Sequence, residues 1–208
     1  MQLQNYYYWF KDAIPHHVCD DIVRYAKSIQ DQMAVTGGYG NKKLNKKEVQ
    51  DLKKKRDSDI VWLNERWIYN AIHPYIHQAN RDANWNFQWD FSESCQFTKY
   101  KKGQYYDWHC DSWDRPYHKP EEPNSHGKQR KLSVTLSLSD DKDYKGGELE
   151  FDFRNTDPDK KPHTHVLKEI RSKGSLVVFP SDVWHRVKPV KSGIRHSLVI
   201  WNLGWPFK

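Results

Sequence analysis

The spacing of apolar positions changes period near the middle of the chain. From Pro15 onward, Cys19, Ile22, Val23, Ala26 and Ile29 recur at three- and four-residue steps. That spacing predicts an amphipathic helix with proline at its opening turn. Asn5 to Phe10, just before it, reads as a short aromatic strand. A second helical stretch is predicted from Asp59 to about Arg81, where Trp67, Ala71, Tyr75 and Ala79 keep a four-residue step along one side. After Asn84 the pattern turns to short apolar or alternating runs: Cys95 to Tyr100, Gln104 to Cys110, Leu132 to Leu138, Glu148 to Phe153, Ser175 to Phe179 and Arg195 to Trp201. Gly103, Gly146-Gly147, Gly174 and Gly193 punctuate them. Helices first and many short strands after predict a mainly β, α+β protein: a sandwich or barrel with its N-terminal helices packed on one side. Thr36 to Arg56 is Gly- and Lys-rich, with a loop and a short helix expected. Asp114 to Gln129 and Asn155 to His165, rich in Pro, His and charge, read as loops.

A length of 208 residues fits one domain with one sizeable core. Residues 1–84 form its expected helical support and 85–208 its β core. Hydrophobic residues are only 37% of the chain, but aromatics are 14%, including 10 Trp and 12 Tyr, each able to bury a large area. This excludes general disorder. The net charge of +7 is concentrated between Lys42 and Arg56. Such a run attracts nucleic acid or an acidic partner. No nucleic-acid reader motif accompanies it, so a solvated face is the simpler reading. Cys19, Cys95 and Cys110 lack CxxC spacing and are odd in number, which fits a reducing compartment better than a disulfide framework. The first residues lack the basic start and apolar run of a signal peptide, and no apolar run is long enough to span a bilayer. A cytoplasmic location is expected (that of the host, were the chain phage-encoded), without membrane association. Oligomeric state has no sequence signal.

The candidate chemistry begins at His109-Cys110-Asp111. On a strand, alternate side chains face the same way, so His109 and Asp111 can reach one ion while Cys110 points elsewhere. A second imidazole would complete a two-His, one-carboxylate face with open positions on an octahedral iron. His185 is the third candidate, in a segment read as buried strand, Pro180-Ser181 turn and second strand. Ten residues later Arg195 offers a guanidinium able to hold a carboxylate by two bonds. HxD alone is a weak signal among 11 histidines. His163 and His165 alternate too, but no acid is placed to complete a site, so they read as loop histidines. His73 and His77 lack the nearby Glu of a zinc-protease motif. The ordered set is what carries weight: HxD, a Gly-Gly-Glu turn, strand-turn-His185, then Arg195.

The region from Arg56 to Trp201 resembles the 2-oxoglutarate/Fe(II) oxygenases of the prolyl 4-hydroxylase-like type, and among them the PKHD-type hydroxylases of bacteria and phages. The matching pieces are Gln96 to Tyr100, Tyr106 to Asp111, Arg130 to Ser139, Tyr144 to Leu149 and Gly174 to Trp201, and the upstream run from Arg56 through Asn80, with Trp85 to Phe87, is also similar to that group. The resemblance implies a double-stranded β-helix, a jelly-roll-like barrel. It implies Fe(II) held by His109, Asp111 and His185, with 2-oxoglutarate and dioxygen as co-substrates and ascorbate as a candidate reductant. Arg195 and Tyr100 match the residues that hold the distal carboxylate of 2-oxoglutarate, and Tyr106 and Trp201 match pocket aromatics. Ser137-Leu138 stands where many prolyl hydroxylases carry Tyr-Leu, which places Ser137 among the expected co-substrate-pocket residues, with one co-substrate hydroxyl missing there or supplied by Thr135.

The expected reaction is hydroxylation of an unactivated C–H with release of succinate and carbon dioxide. A peptidyl proline in a peptide or protein is the leading substrate. Alternatives are a small metabolite or amino acid, a nucleic-acid demethylase of the same chemistry, and a non-catalytic cupin-like binding module. Trp201 stands where such demethylases usually carry a second Arg, which disfavours nucleic acid.

Overall fold

A computed structural model describes residues 5–29, 32–33, 45–112, 114–153 and 163–206 of the chain. The first part of the Gly- and Lys-rich segment, with Lys42 and Lys43, and the start of the loop expected from Asn155 lie outside these residues. In chain order the elements are β1 (Tyr8–Phe10), α1 (His16–Ser28), β2 (Gln32–Met33), α2 (Lys46–Lys55), β3 (Arg56–Asp57), β4 (Asp59–Leu63) and α3 (Arg66–Asp82). There follow β5 (Phe91–Ser92), β6 (Cys95–Tyr100), β7 (Tyr105–His109), β8 (Gln129–Ser137), β9 (Tyr144–Gly146) and β10 (Leu149–Asp152). The last are β11 (Thr164–Val166), β12 (Leu176–Pro180), β13 (Trp184–Val187), β14 (Val190–Gly193) and β15 (Arg195–Gly204).

The strands pair antiparallel into two main sheets. The larger runs β1-β12-β8-β15-β6-β4-β2, with β5 added along β15; the smaller runs β11-β10-β13-β7-β3. A separate ribbon joins β14 to β9. Period-two alternation gives the larger sheet two different faces. Leu132, Val134 and Leu136 of β8 and Leu198 and Ile200 of β15 pack with the helices' Ile22, Ile68, Ile72 and Ile76 in one core. Ser133 and Thr135, with Arg195, Ser197, Val199 and Trp201, fall on the opposite face. Between the sheets a second core gathers Tyr100, Leu149, Phe151, Val177, Phe179 and Val187.

Each helix has a local reason. Pro15 occupies the N-cap of α1, and Cys19, Ile22 and Ala26 form its buried stripe. Helix α2 starts on a capping box: the Asn45 side chain accepts from Glu48 N–H at 2.9 Å, and the Glu48 carboxylate accepts from Asn45 N–H at 2.8 Å. In α3 the buried stripe is Ile68, Ile72, Ile76 and Ala79.

Three expectations need correction. Asp59 to Leu63 is a strand paired with β6, not the start of a helix. The buried side of α3 keeps only Ala79 of the stripe expected and otherwise runs one residue along, through Ile68, Ile72 and Ile76: Trp67 is 40% exposed while Ile68 is fully buried. Finally, the strands before Asn84 are not limited to the one expected at Asn5 to Phe10, which forms β1: β2, β3 and β4 also come from residues 1–84 and join the two main sheets. Among the described residues no helix is long and apolar enough to cross a membrane.

Candidate active site

The facing sheets place a cavity between β7, β10 and β13 on one side and β6, β8 and β15 on the other. Its walls carry His109, Asp111, His185, Tyr100, Tyr106, Arg195 and Trp201, and also Arg56, Gln96, Thr135, Leu149, Val187, Ser197 and Val199. Of the residues expected at the site, only Ser137 is missing from the wall. Its hydroxyl donates to Ser139 C=O at 3.5 Å, and Thr135 and Ser197 supply the nearby hydroxyls instead.

His109 and His185 are register partners on β7 and β13. One ligand atom from each, with one from Asp111, lie within 4.8 Å of one another. Asp111 Oδ1 is 3.8 Å from His109 Nε2, and Asp111 Oδ2 is 3.6 Å from His185 Nε2. Both imidazoles use their other nitrogen on a backbone carbonyl: His109 Nδ1 on Asp107 at 2.7 Å and His185 Nδ1 on Val183 at 2.9 Å. A carbonyl accepts only, so each Nδ1 carries the proton and each Nε2 presents a lone pair to the shared point.

Strand alternation does not account for this grouping. Strand β7 ends at His109, and Asp111 sits in the bend beyond it. It is held there by backbone bonds from Asp111 N–H and Ser112 N–H to Ser181 C=O, both 2.8 Å. The β7 register also slips: His185 faces His109 and Val187 faces Tyr106, so three residues on β7 span two on β13. This is a bulge. It turns Tyr106 to the same side as His109.

Burial, then the nearby His185, lowers the pKa of His109 to about 3. Burial alone would raise that of Asp111, but facing His185, His109, Arg130 and the Ser133 hydroxyl together outweigh it, and the net shift is downward. A neutral imidazole and a carboxylate are the forms a metal requires.

Arg195 is 3% exposed. Its Nη1 donates to Ser197 Oγ at 3.1 Å, and its guanidinium lies 5.5 Å from the ring centre of Tyr100, its register partner. Among the described residues it has no carboxylate within ion-pair distance. Sequence reasoning did not single out Arg56, which is also buried. Its Nη2 donates to Gln96 Oε1 at 2.6 Å, its Nε to Ser58 Oγ at 2.9 Å, and its guanidinium lies 4.5 Å from the centre of the Tyr106 ring. Trp201 lies under the Arg130 guanidinium at 3.8 Å, and its buried Nε1 has no hydrogen-bond partner among the described residues. The rejected pairs are elsewhere: His73 bonds Ser92, and His165 sits on β11 against the Tyr7 hydroxyl rather than in a loop.

The model of the 2OG-Fe(II) oxygenase superfamily matches residues 95–202. The chain belongs to that superfamily. Its cofactor set is Fe(II), 2-oxoglutarate and dioxygen. Similar curated proteins include a PKHD-type hydroxylase of a Synechococcus species, 39% identical over 100 residues, covering 48% of this chain and 36% of that protein. Another, from Pseudoalteromonas atlantica, is 33% identical over 108 residues, covering 51% and 41%. The match thus spans well under half the length of these relatives. Among solved structures, the viral collagen prolyl hydroxylase of Paramecium Bursaria Chlorella virus-1 superposes with a TM-score of 0.63 at 18% identity, covering 97% of each chain. A Pseudomonas putida prolyl-4-hydroxylase gives 0.62 at 19%, covering 96% and 92%. These likenesses establish the jelly-roll double-stranded β-helix for this superfamily member.

Proposed function

We propose that the protein is an Fe(II)- and 2-oxoglutarate-dependent hydroxylase acting on a polypeptide, with a prolyl residue as the leading substrate. The observation that carries the reading is the coincidence in one cavity of a His109–Asp111–His185 donor set and a buried Arg195 with no carboxylate partner. The donor set fits iron: His109, Asp111 and His185 would hold it as two imidazoles and one carboxylate and would leave room for co-substrates. The unpaired Arg195 fits the distal carboxylate of 2-oxoglutarate, because a buried guanidinium is costly unless paired. Tyr100 packs on it and fixes its direction. The bound iron supplies the oxidising chemistry; the chain orients both co-substrates and excludes water. No protein group has to move a proton at the substrate carbon. The whole of residues 1–208 is taken as one catalytic domain.

For the substrate, support comes from the PKHD-type and prolyl hydroxylase names among the similar proteins. One of these is a Trichoplax adhaerens prolyl hydroxylase in complex with a peptide fragment, with a TM-score of 0.59 at 16% identity. The test is a panel of peptides and metabolites scored by succinate release and a mass gain of one oxygen. Oxygen gain on a prolyl peptide is expected. Oxygen gain on a free amino acid alone would move the substrate to small metabolites, and no succinate with any substrate or without one would point to a binding module. Independently, anaerobic Fe(II) with 2-oxoglutarate should give a weak visible charge-transfer band that His185→Ala loses.

A further inference from the structure

We infer that Ser133 and Ser181 are positioning residues that fix the carboxylate of Asp111 for the metal. The inference rests on the reading of His109, Asp111 and His185 as the metal site. The Ser133 hydroxyl donates to Asp111 Oδ2 at 2.7 Å and lies 2.9 Å from the Ser181 hydroxyl. The direction of this chain is determined. An ionised carboxylate only accepts, so the single proton of Ser133 goes to Asp111, and Ser181 must donate to Ser133. The backbone of Ser181 holds the same residue from the other side, its carbonyl accepting from both Asp111 N–H and Ser112 N–H.

Two features mark this as more than packing. First, both serines are buried, 0% and 1% exposed, and their hydroxyls bond to each other and to Asp111. A buried hydroxyl costs free energy unless bonded, so an apolar residue would serve a purely structural role better. Second, the bonds join the two metal-bearing segments. Ser181 forms the turn between β12 and β13, four residues before His185, and Ser133 comes from β8, which pairs with β12 in the larger sheet, across from the β7 and β13 strands that carry the imidazoles. Asp111 has left the ladder of β7 and has no strand to orient it. The serine pair does this instead, and it uses Oδ2 while Oδ1 takes no hydrogen bond from the described residues. The carboxylate therefore cannot rotate freely, which limits how it can spread over the open metal positions.

Cobalt(II) alone, a spectroscopic substitute that needs no co-substrate or turnover, tests this in the full-length protein. Ser133→Ala should weaken cobalt binding by about 10- to 100-fold, the usual cost of removing a residue that orients a ligand, and should change the visible d–d band. Ser181→Ala removes only the donor to Ser133 and should do both to a smaller degree. The metal-free thermal transition of each variant separates a folding defect from a positioning one. An unaltered band with an affinity change under about threefold in Ser133→Ala would overturn the inference, as would equal effects matched by equal losses of metal-free stability. If wild type binds no cobalt, or His185→Ala binds as wild type does, the metal-site reading itself fails, and that outcome is distinct from a silent Ser133→Ala.

Discussion

The ring of Tyr106 stacks on the imidazole of His109 with centres 3.5 Å apart and planes 12° from parallel. Side chains three apart on a regular strand face opposite ways; the bulge in β7 brings these two together. The Arg56 guanidinium also lies over the Tyr106 ring, 4.5 Å from its centre, so His109 is held by a packed aromatic neighbour as well as by its bond to Asp107. Tyr106→Ala should cost about 3–5 kcal/mol of stability, as for other large aromatic truncations, and should weaken metal binding. Burial raises the phenol pKa to about 12, so the hydroxyl stays neutral at working pH. Tyr106→Phe should keep stability and metal affinity near wild type. A raised KM for 2-oxoglutarate in that variant would show that the hydroxyl contacts the co-substrate; denaturation and steady-state kinetics together separate the two roles.

The ordered motifs made the grouping of His109, Asp111, His185 and Arg195 in one cavity legible because each lies in a short local pattern. What was not legible depends on strand register. Arg56 meets Gln96 across 40 positions, Ser133 meets Asp111 across 22 and Ser181 across 48. No local pattern encodes such encounters. Strand alternation predicted that His109 and Asp111 meet, but for an insufficient reason: a bend and the Ser181 carbonyl bring Asp111 in. The short Asp59–Leu63 strand was hidden because its apolar residues run straight on toward α3, and a run that short has no period of its own. Ser137 was expected at the pocket from a family pattern; it shares the face of Thr135 but lies beyond the cavity wall.

Arg195 should govern co-substrate affinity. Arg195→Gln keeps two donors but loses the charge, and should raise the KM for 2-oxoglutarate by about 100-fold, in line with the cost of breaking a buried charge pair. Arg195→Lys should recover much of this, since a charge remains. Cobalt binding without 2-oxoglutarate should be unchanged in both. Equal KM values for wild type and Arg195→Gln would remove Arg195 from the co-substrate site.

Metal-free stability should fall in mild acid because of two partly buried histidines. Burial lowers His109 to about 3 and, helped by nearby Lys27 and Lys99, His196 to about 4, from an ordinary 6.5. Below about pH 6.5 the unfolded chain therefore binds protons that the folded chain refuses, and stability drops by about 1.4 kcal/mol per pH unit for each group. The loss from His196 should end near pH 4, once the folded form is protonated too. His196→Phe, which keeps a ring beside Phe97, should reduce the loss between pH 7 and pH 5 by about 2 kcal/mol. Urea denaturation at the two pH values measures it; an unchanged difference would mean that His196 titrates normally.

The Gly-Gly-Glu turn can be tested for its bearing on Arg195. Gly147 has a φ of +66°, and a Cβ there would meet Arg195 Cδ and Val190 Cγ2, each at 3.0 Å. The turn thus packs directly on the stem of the guanidinium. Gly147→Ala has two separable effects. The left-handed backbone strains any side chain, at a cost on the order of 1 kcal/mol. The new methyl also pushes Arg195 from its line toward the cavity. The KM for 2-oxoglutarate should rise several-fold while cobalt affinity stays constant. Gly103→Ala is the control: its φ is +86°, but a Cβ there meets nothing within 4 Å. It should carry the backbone cost without a change in KM. If both variants shift KM alike, backbone strain rather than contact with Arg195 is the cause.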